Sequence, residues 1–497
     1  MSKIRIIGRN ISFLALNRLT AAVVTFFLFP FIVKSVGKEL YGVYLIVMTI
    51  TGYLGILDLG VMSALTKYVA EYNGKKDYEK LNKIINASFS FYVLIALVIA
   101  LLLFFCSAYF VNFFKIDPSN MDTVKDLFIV AGASALFVWP LNTFRGVIQG
   151  LNLWSIDASV NIIVQIFNAA ATFVILSSGY GIVHLLIAAQ ILTICGSTIL
   201  YFIVKKKISL KIIFPYQEFD TFKFIFNFSF FMFLGSLINV FLFQVHNLII
   251  GYFISVSAVS IYAVAFNIQN YLRTINSTIG APPWTLASEM EGKGDYEGQK
   301  VLLFKGTKYM TAIFLPVILI MFFYAEHFIN YWMGSGFSES VMPARIIILF
   351  WLFNGTMELA VGMLSAKGIV RQPVFIQLAV AFLNIVIGLS LIKFLGITAI
   401  ALGLTVSMIL VGFPLYLNLS LRSLKVTFKE YFDKALKSNL LFYLFIVLLS
   451  LILPRLINPP NMLFTLLQMV AIYLAAIASY FFIVLNREDR AEFRKII

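Results

Sequence analysis

The sequence has 497 residues, 61% of them hydrophobic and only 12% charged, where a soluble domain carries about 25% charged residues; water is not its main solvent. A formal net charge of +15 would suit nucleic acid, but the lysines and arginines sit in short clusters between apolar runs, not on one soluble face, so no nucleic-acid partner is expected. There is no G-x-x-x-x-G-K-[ST] phosphate loop and no H-E-x-x-H, His184, His246 and His327 are scattered, and Cys106 and Cys195 both fall inside apolar runs; no enzyme, cofactor, metal site or disulfide framework is expected.

Apolar runs of roughly 20 residues, each long enough to cross a hydrocarbon core about 30 Å thick, recur along the whole chain. They predict helices near 10–35, 40–66, 84–110, 124–149, 156–177, 182–204, 224–249, 257–283, 306–331, 341–366, 373–392, 396–419, 437–454 and 462–485. The fold class is an all-α polytopic membrane protein of about fourteen transmembrane helices. Lys3, Arg5 and Arg9 precede the first run, which continues to about Val36 with no clean small-residue cleavage site, so it reads as a retained helix. Pro30, Pro140, Pro316 and Pro414 fall within spans and are expected to kink them. With both termini on one side, that side holds 29 lysines and arginines and the other seven; the excess places both termini in the cytoplasm.

One segment is repeated. Glu71-Tyr-Asn-Gly-Lys-Lys-Asp-Tyr-Glu79 returns 218 residues later as Glu289-Met-Glu-Gly-Lys-Gly-Asp-Tyr-Glu297, and the same offset pairs Tyr44 with Tyr262 and Tyr53-Leu54 with Tyr271-Leu272. A unit of six helices keeps its orientation on repetition, so the halves are expected to be related by an axis along the membrane normal. The organisation expected is a six-helix bundle over 1–204, a cytoplasmic linker over 205–222, a second bundle over 223–420, and two further helices with a cytoplasmic tail over 421–497.

Four ionisable residues fall deep inside spans, away from their ends: Arg18, Asp58, Arg273 and Glu358. Each is nine residues from a marker of its cytoplasmic end (Arg9, Lys67, Pro282 and Lys367), or roughly 13 Å deep at about 1.5 Å per residue. An intramembrane charge costs about 2.5–3.5 kcal/mol on insertion scales, so these groups must face one another or a wet cavity. The eighth span carries Gln269, Asn270, Arg273, Asn276 and Ser277 on one polar stripe, which cannot face lipid, and Asp58 maps by the offset onto Asn276. A polar central cavity lined by Arg18, Asp58, Gln269, Arg273, Asn276 and Glu358 is therefore expected, against the plainer reading of two ion pairs that fix packing. The remaining basic clusters, such as Lys205-Lys206-Lys207, set topology and meet anionic headgroups.

Gly37-x-Glu39-Leu40-Tyr41-Gly42-x-Tyr44, then Leu57-Asp58-Leu59-Gly60, then Lys67-Tyr68-x-Ala70-Glu71 resemble the polysaccharide flippase branch, which includes the O-antigen flippases, of the multidrug/oligosaccharidyl-lipid/polysaccharide exporter superfamily. The resemblance covers essentially the whole chain. It implies two six-helix bundles around a V-shaped cavity, two added C-terminal helices, and alternating access for an undecaprenyl-diphosphate-linked oligosaccharide in a bacterial cytoplasmic membrane. Membrane lipids, and the glycosyltransferases and polymerase of the same pathway, are the implied partners. Members of this branch and the similar lipid II flippases use a cationic cavity, to which Arg18 and Arg273 look like counterparts, while Asp58 and Glu358 leave this layer formally neutral. The alternatives are a cation-coupled exporter of small molecules from the same superfamily and a membrane-embedded glycosyltransferase or polymerase. The second needs a sizeable exposed segment, and the outer loops near 111–123 and 332–340 are short and sparsely charged.

Overall fold

In hydrocarbon each backbone N–H and C=O must be bonded within its own segment, so long apolar runs become helices. The computed structural model describes residues 3–114, 116–208, 211–214, 221–222, 225, 245–369 and 371–480, and the regular elements among them are helical. They are α1 (Lys3–Val36), α2 (Lys38–Leu54), α3 (Val61–Gly74), α4 (Tyr78–Phe113), α5 (Met121–Gly150), α6 (Trp154–Ser177) and α7 (Ile182–Lys207). After these come α8 (Val245–Phe253), α9 (Val256–Lys293), α10 (Tyr296–Met333), α11 (Val341–Ala366), α12 (Arg371–Leu395), α13 (Ile397–Ser407) and α14 (Phe413–Ser423). The short α15 (Phe428–Tyr431) leads to α16 (Leu440–Leu456) and α17 (Met462–Ser479). Among the described residues 12 helical stretches are long and apolar enough to cross a membrane. The 38-residue α9 is not one of them, because its polar stripe dilutes its apolar surface. The expected seventh span and C-terminal tail lie largely outside the described residues; α8 is the described end of that span and buries His246.

The chain divides by its internal contacts into two compact units, Met1–Ser260 and Ile261–Ile497. In the first, α5 packs on α4 and α7, and α1 on α6, around a core that includes Leu65, Leu81, Tyr92, Ile99, Phe128 and Phe144. In the second, α10 packs on α11 and α12 on α13. The added helices α16 and α17 dock on α10, where Phe442, Ile446, Ile472 and Ala476 meet Ala312, Ile320 and Tyr324. Polar bonds fix that docking, among them the Tyr324 hydroxyl donating to Gln468 Oε1 at 3.0 Å and Asn439 Nδ2 to the Lys308 carbonyl at 2.9 Å.

The repeated segment folds twice into the same turn. Lys75 pairs with Glu71 at 2.6 Å and Lys293 with Glu289 at 2.5 Å, and each lysine's hydrogen bond holds its glutamate carboxyl below the ordinary range. The next residues, Lys76 (φ 57) and Gly294 (φ 68), are both left-handed. The aspartates that follow cap the next helices: Asp77 accepts from the Lys80 N–H at 3.1 Å and Asp295 from the Gly298 N–H at 2.8 Å, one orphan amide satisfied in each. The starts of α2 and α9, and of α4 and α10, are also 218 residues apart.

Several expected boundaries are corrected. The span expected over 40–66 is broken, with a tight turn at Gly55–Asp58, Leu59 (φ 48) and Gly60 (φ 78) in the left-handed region, and a new helix from Val61. Lys67 and Pro282 are not helix ends, since α3 runs to Gly74 and α9 to Lys293; Pro282 and Pro283 are absorbed within α9. Pro30, Pro140 and Pro316 lie inside helices, whereas Pro414 sits in the first turn of α14 after a wide turn at Met408–Gly412. Arg145, near the end of α5, bonds Asp157 at 3.0 Å and Asn161 at 2.9 Å, with Gln149 on the other carboxylate oxygen at 3.0 Å. A buried carboxylate so held is compensated on both oxygens.

Candidate functional site

The first unit holds Arg18 and Asp58. Asp58 ends the tight turn after α2, and its carboxylate accepts from the Gly60 N–H at 3.1 Å, from the Met62 N–H at 3.3 Å and from the buried Tyr92 hydroxyl of α4. The sequence permits this break because Gly60 takes the left-handed conformation without a Cβ penalty, and the cost of Leu59 beside it, about 1–2 kcal/mol, is offset by the three bonds. Asp58 thus bridges the break between α2 and α3: its carboxylate meets the first N–H groups and the positive dipole end of α3. Tyr92 is held in turn by packing near Trp139, ring centroids 6.1 Å apart. Arg18 stands on α1 with its side chain exposed and forms no ion pair with Asp58; the adjacent Asn17 accepts from Gln165 Nε2 of α6 at 2.8 Å.

The second unit brings Arg273, Asn276 and Glu358 together. Asn276 of α9 is 3% exposed and bonds the Glu358 carboxylate of α11, Arg273 lies near enough for its charge to act on that carboxylate, and Asn354 Nδ2 donates to Glu358 Oε2 at 3.4 Å. Gly280 makes the room: a Cβ there would come within 3.2 Å of Glu358 Cγ. Gln269, two turns toward the start of α9, is 1% exposed and leaves its Oε1 buried without a hydrogen-bond partner. The Arg273 side chain is exposed.

Tyr92, Asn354 and Gly280 escaped the sequence reading. A tyrosine inside a long apolar run carries no signal of its own, and a glycine's use shows only when its neighbour is placed. Asn354 was the findable one, four residues before Glu358 on the same helical face. The 218-residue offset maps Asp58 onto Asn276, yet the structure makes one a cap at a helix break and the other a carboxylate ligand within an unbroken helix.

The sequence pattern of the family described as polysaccharide biosynthesis protein matches residues 7–282, and the MatE pattern matches residues 232–389. A candidate O-antigen transporter of Shigella flexneri is 25% identical over 347 residues, which cover 68% of this chain and 79% of that protein. The structure of the lipid II flippase MurJ in an inward closed conformation superposes with a TM-score of 0.69 at 19% identity, covering 95% of this chain and 99% of its own. An inward-facing multidrug resistance transporter of the MATE family gives 0.65 at 16% identity, covering 83% and 99%. Fold and comparisons together define a multi-pass membrane transporter of the multidrug/oligosaccharidyl-lipid/polysaccharide exporter superfamily. Within it, the chain belongs to the polysaccharide biosynthesis protein family, whose pattern spans more than half its length.

Proposed function

We propose that the protein flips undecaprenyl-diphosphate-linked oligosaccharide repeat units across a bacterial cytoplasmic membrane by alternating access, in the service of surface polysaccharide synthesis, with the glycosyltransferases and polymerase of that pathway as partners. The observation that carries this reading is Arg273, exposed partway along α9 beside Asn276 and Glu358. Its five donors form a planar fork suited to phosphate oxygens, and it keeps its charge where water is scarce. Arg18 supplies the second cation toward the diphosphate. The half-buried Asp58 and Glu358 are the acidic groups of the headgroup's path, and the buried Gln269 and Asn276 act from within α9, Asn276 by holding the Glu358 carboxylate, while the polyprenyl tail stays in lipid. The similarity to a candidate O-antigen transporter supports this reading over small-molecule export, and the fold shared with a lipid II flippase is compatible with it.

The test is reconstitution in vesicles loaded with an undecaprenyl-diphosphate-linked oligosaccharide on one leaflet. Time-dependent appearance of the glycan to a membrane-impermeant lectin on the other leaflet is expected; a rate equal to that of empty vesicles overturns the proposal. The orientation belongs to the same reading and predicts that reporters fused after Lys75 or Lys206 are cytoplasmic and those after Asp117 or Ser335 external. The reverse pattern sinks the assignment of both termini to the cytoplasm.

A further inference from the structure

The second unit contains two arginines, Arg371 and Arg422, that neither helix packing nor the proposed substrate contacts employ. A cavity of about 530 Å³ opens between the α11–α12 junction and the end of α14, lined by Gly368, Ile369, Arg371, Gln372, Arg422 and Ser423, with Leu419 as an apolar side. Among the described residues no acidic side chain lines it. Two guanidinium groups lining one cavity attract an anion to it.

The walls are fixed before any ligand arrives. At the end of α11, Gly368 (φ 72) donates to the Ser365 carbonyl at 3.1 Å and Ile369 to that of Leu364 at 2.9 Å, a closed helix terminus. At the end of α14, Lys425 donates to Arg422 at 3.1 Å and Val426 to Leu421 at 2.9 Å. The Tyr416 hydroxyl ties α14 to α12 through the Pro373 carbonyl at 3.1 Å. Because α12 begins at Arg371, the positive end of its dipole adds to the two side chains.

Two further features distinguish a lipid from a free anion. The cavity lies at the basic end of the unit: Lys367, beside it in sequence, bonds Glu291 at 3.4 Å, next to the α9–α10 turn that carries Lys293. From that end an exposed apolar stripe runs down α12 through Phe375 (59% exposed), Leu378 (41%) and Phe382 (71%), and the Arg371 guanidinium carbon stands 5.9 Å from the Phe375 ring. Cation, then aromatic ring, then apolar stripe is the order of headgroup, glycerol and acyl chain in a leaflet.

We propose that this cavity binds the phosphate of an anionic glycerophospholipid from the leaflet at the basic end of the unit, with its acyl chains along Phe375, Leu378 and Phe382. This site is separate from the residues assigned to the transported substrate. The test uses the purified full-length protein in detergent, with phosphatidylglycerol, phosphatidylcholine or inorganic phosphate added, read by native mass spectrometry and by thermal unfolding. One phosphatidylglycerol retained per chain, with a saturable rise in melting temperature that phosphatidylcholine does not give, is the expected result. The R371Q/R422Q variant is expected to bind it at least about tenfold more weakly and R371K/R422K to fall between, since lysine keeps the charge and loses the fork. Equal retention of both lipids by the wild type overturns the proposal, and that comparison requires no variant to fold. So does wild-type retention by the glutamine variant when its melting without added lipid is unchanged. Inorganic phosphate that displaces phosphatidylglycerol at low millimolar concentration overturns the lipid assignment and leaves a site for free phosphate.

Discussion

Arg273→Gln is expected to lower glycan export by about a hundredfold while the protein inserts at normal abundance. Removing one member of a charge-assisted contact to an anion costs about 2–5 kcal/mol, and about 2.7 kcal/mol corresponds to that factor. Abundance is spared because the side chain is exposed and the helix around it is held by buried neighbours, Leu272 and Asn276. Arg18→Gln is expected to act in the same direction, and lysine at either position to restore export in part, charge without fork. Export is measured as surface glycan per cell against flippase abundance from the same membranes. If both glutamine variants export normally, the arginines are packing elements. A fall in abundance for Arg273→Gln that is reversed by adding Glu358→Gln would instead identify the pair as a structural contact, because the coupling would then appear in stability.

Asp58→Ala is expected to do the opposite, lowering stability first and transport as a consequence. The alanine leaves the Gly60 and Met62 amides and the Tyr92 hydroxyl without their common acceptor, and each buried polar group so stranded costs about 1–3 kcal/mol. A loss of about 3 kcal/mol, the lower end of that sum, is expected in thermal unfolding of the purified protein. Asp58→Asn separates geometry from charge: its side-chain carbonyl still caps the helix, asparagine being as good a cap as aspartate. It is also the residue the second repeat already carries at the equivalent position, Asn276. Its single acceptor oxygen can keep the Met62 amide and the Tyr92 hydroxyl, which share Oδ1, but turns an NH2 toward the Gly60 amide on Oδ2, so a loss of about 1–3 kcal/mol, smaller than for alanine, is expected for it. If it is as unstable as the alanine variant, the carboxylate charge and not its acceptor geometry holds the break. If its loss is the smaller one and transport nonetheless disappears, the carboxylate's charge or proton belongs to the transport cycle.

Much of the architecture was legible in the residues because membrane helices obey one strong local constraint. A run too apolar for water and unable to leave its amides unbonded has only the helix available, so most spans follow from hydropathy within a few residues. The repeat was legible for a second local reason: Glu71 to Glu79 and Glu289 to Glu297 encode an i,i+4 ion pair, a left-handed residue and an aspartate cap, all satisfied within one turn of chain. The identities of Arg18, Asp58, Arg273 and Glu358 as the intramembrane charges also came from position alone.

Their partners did not. Within the first unit, Asp58 meets Tyr92 from 34 residues away and its own following amides; a periodicity that continues through Gly60 reads as one helix, and only the approach of α4 makes a break there satisfied. Within the second, Glu358 meets Asn276 and the charge of Arg273 because α9 and α11 pack closely at Gly280, a contact that depends on the shape of two surfaces. Arg145 shows the same limit, since a charge near the end of an apolar run gives no sign of its partners, Asp157 and Asn161 of α6. The sequence by itself therefore determined which segments enter the membrane and which charges go with them, because the bilayer acts on each segment separately. Only the tertiary structure decided which of those charges are consumed as caps or ion pairs and which remain exposed, because satisfying a charge away from water requires donors from elsewhere in the chain.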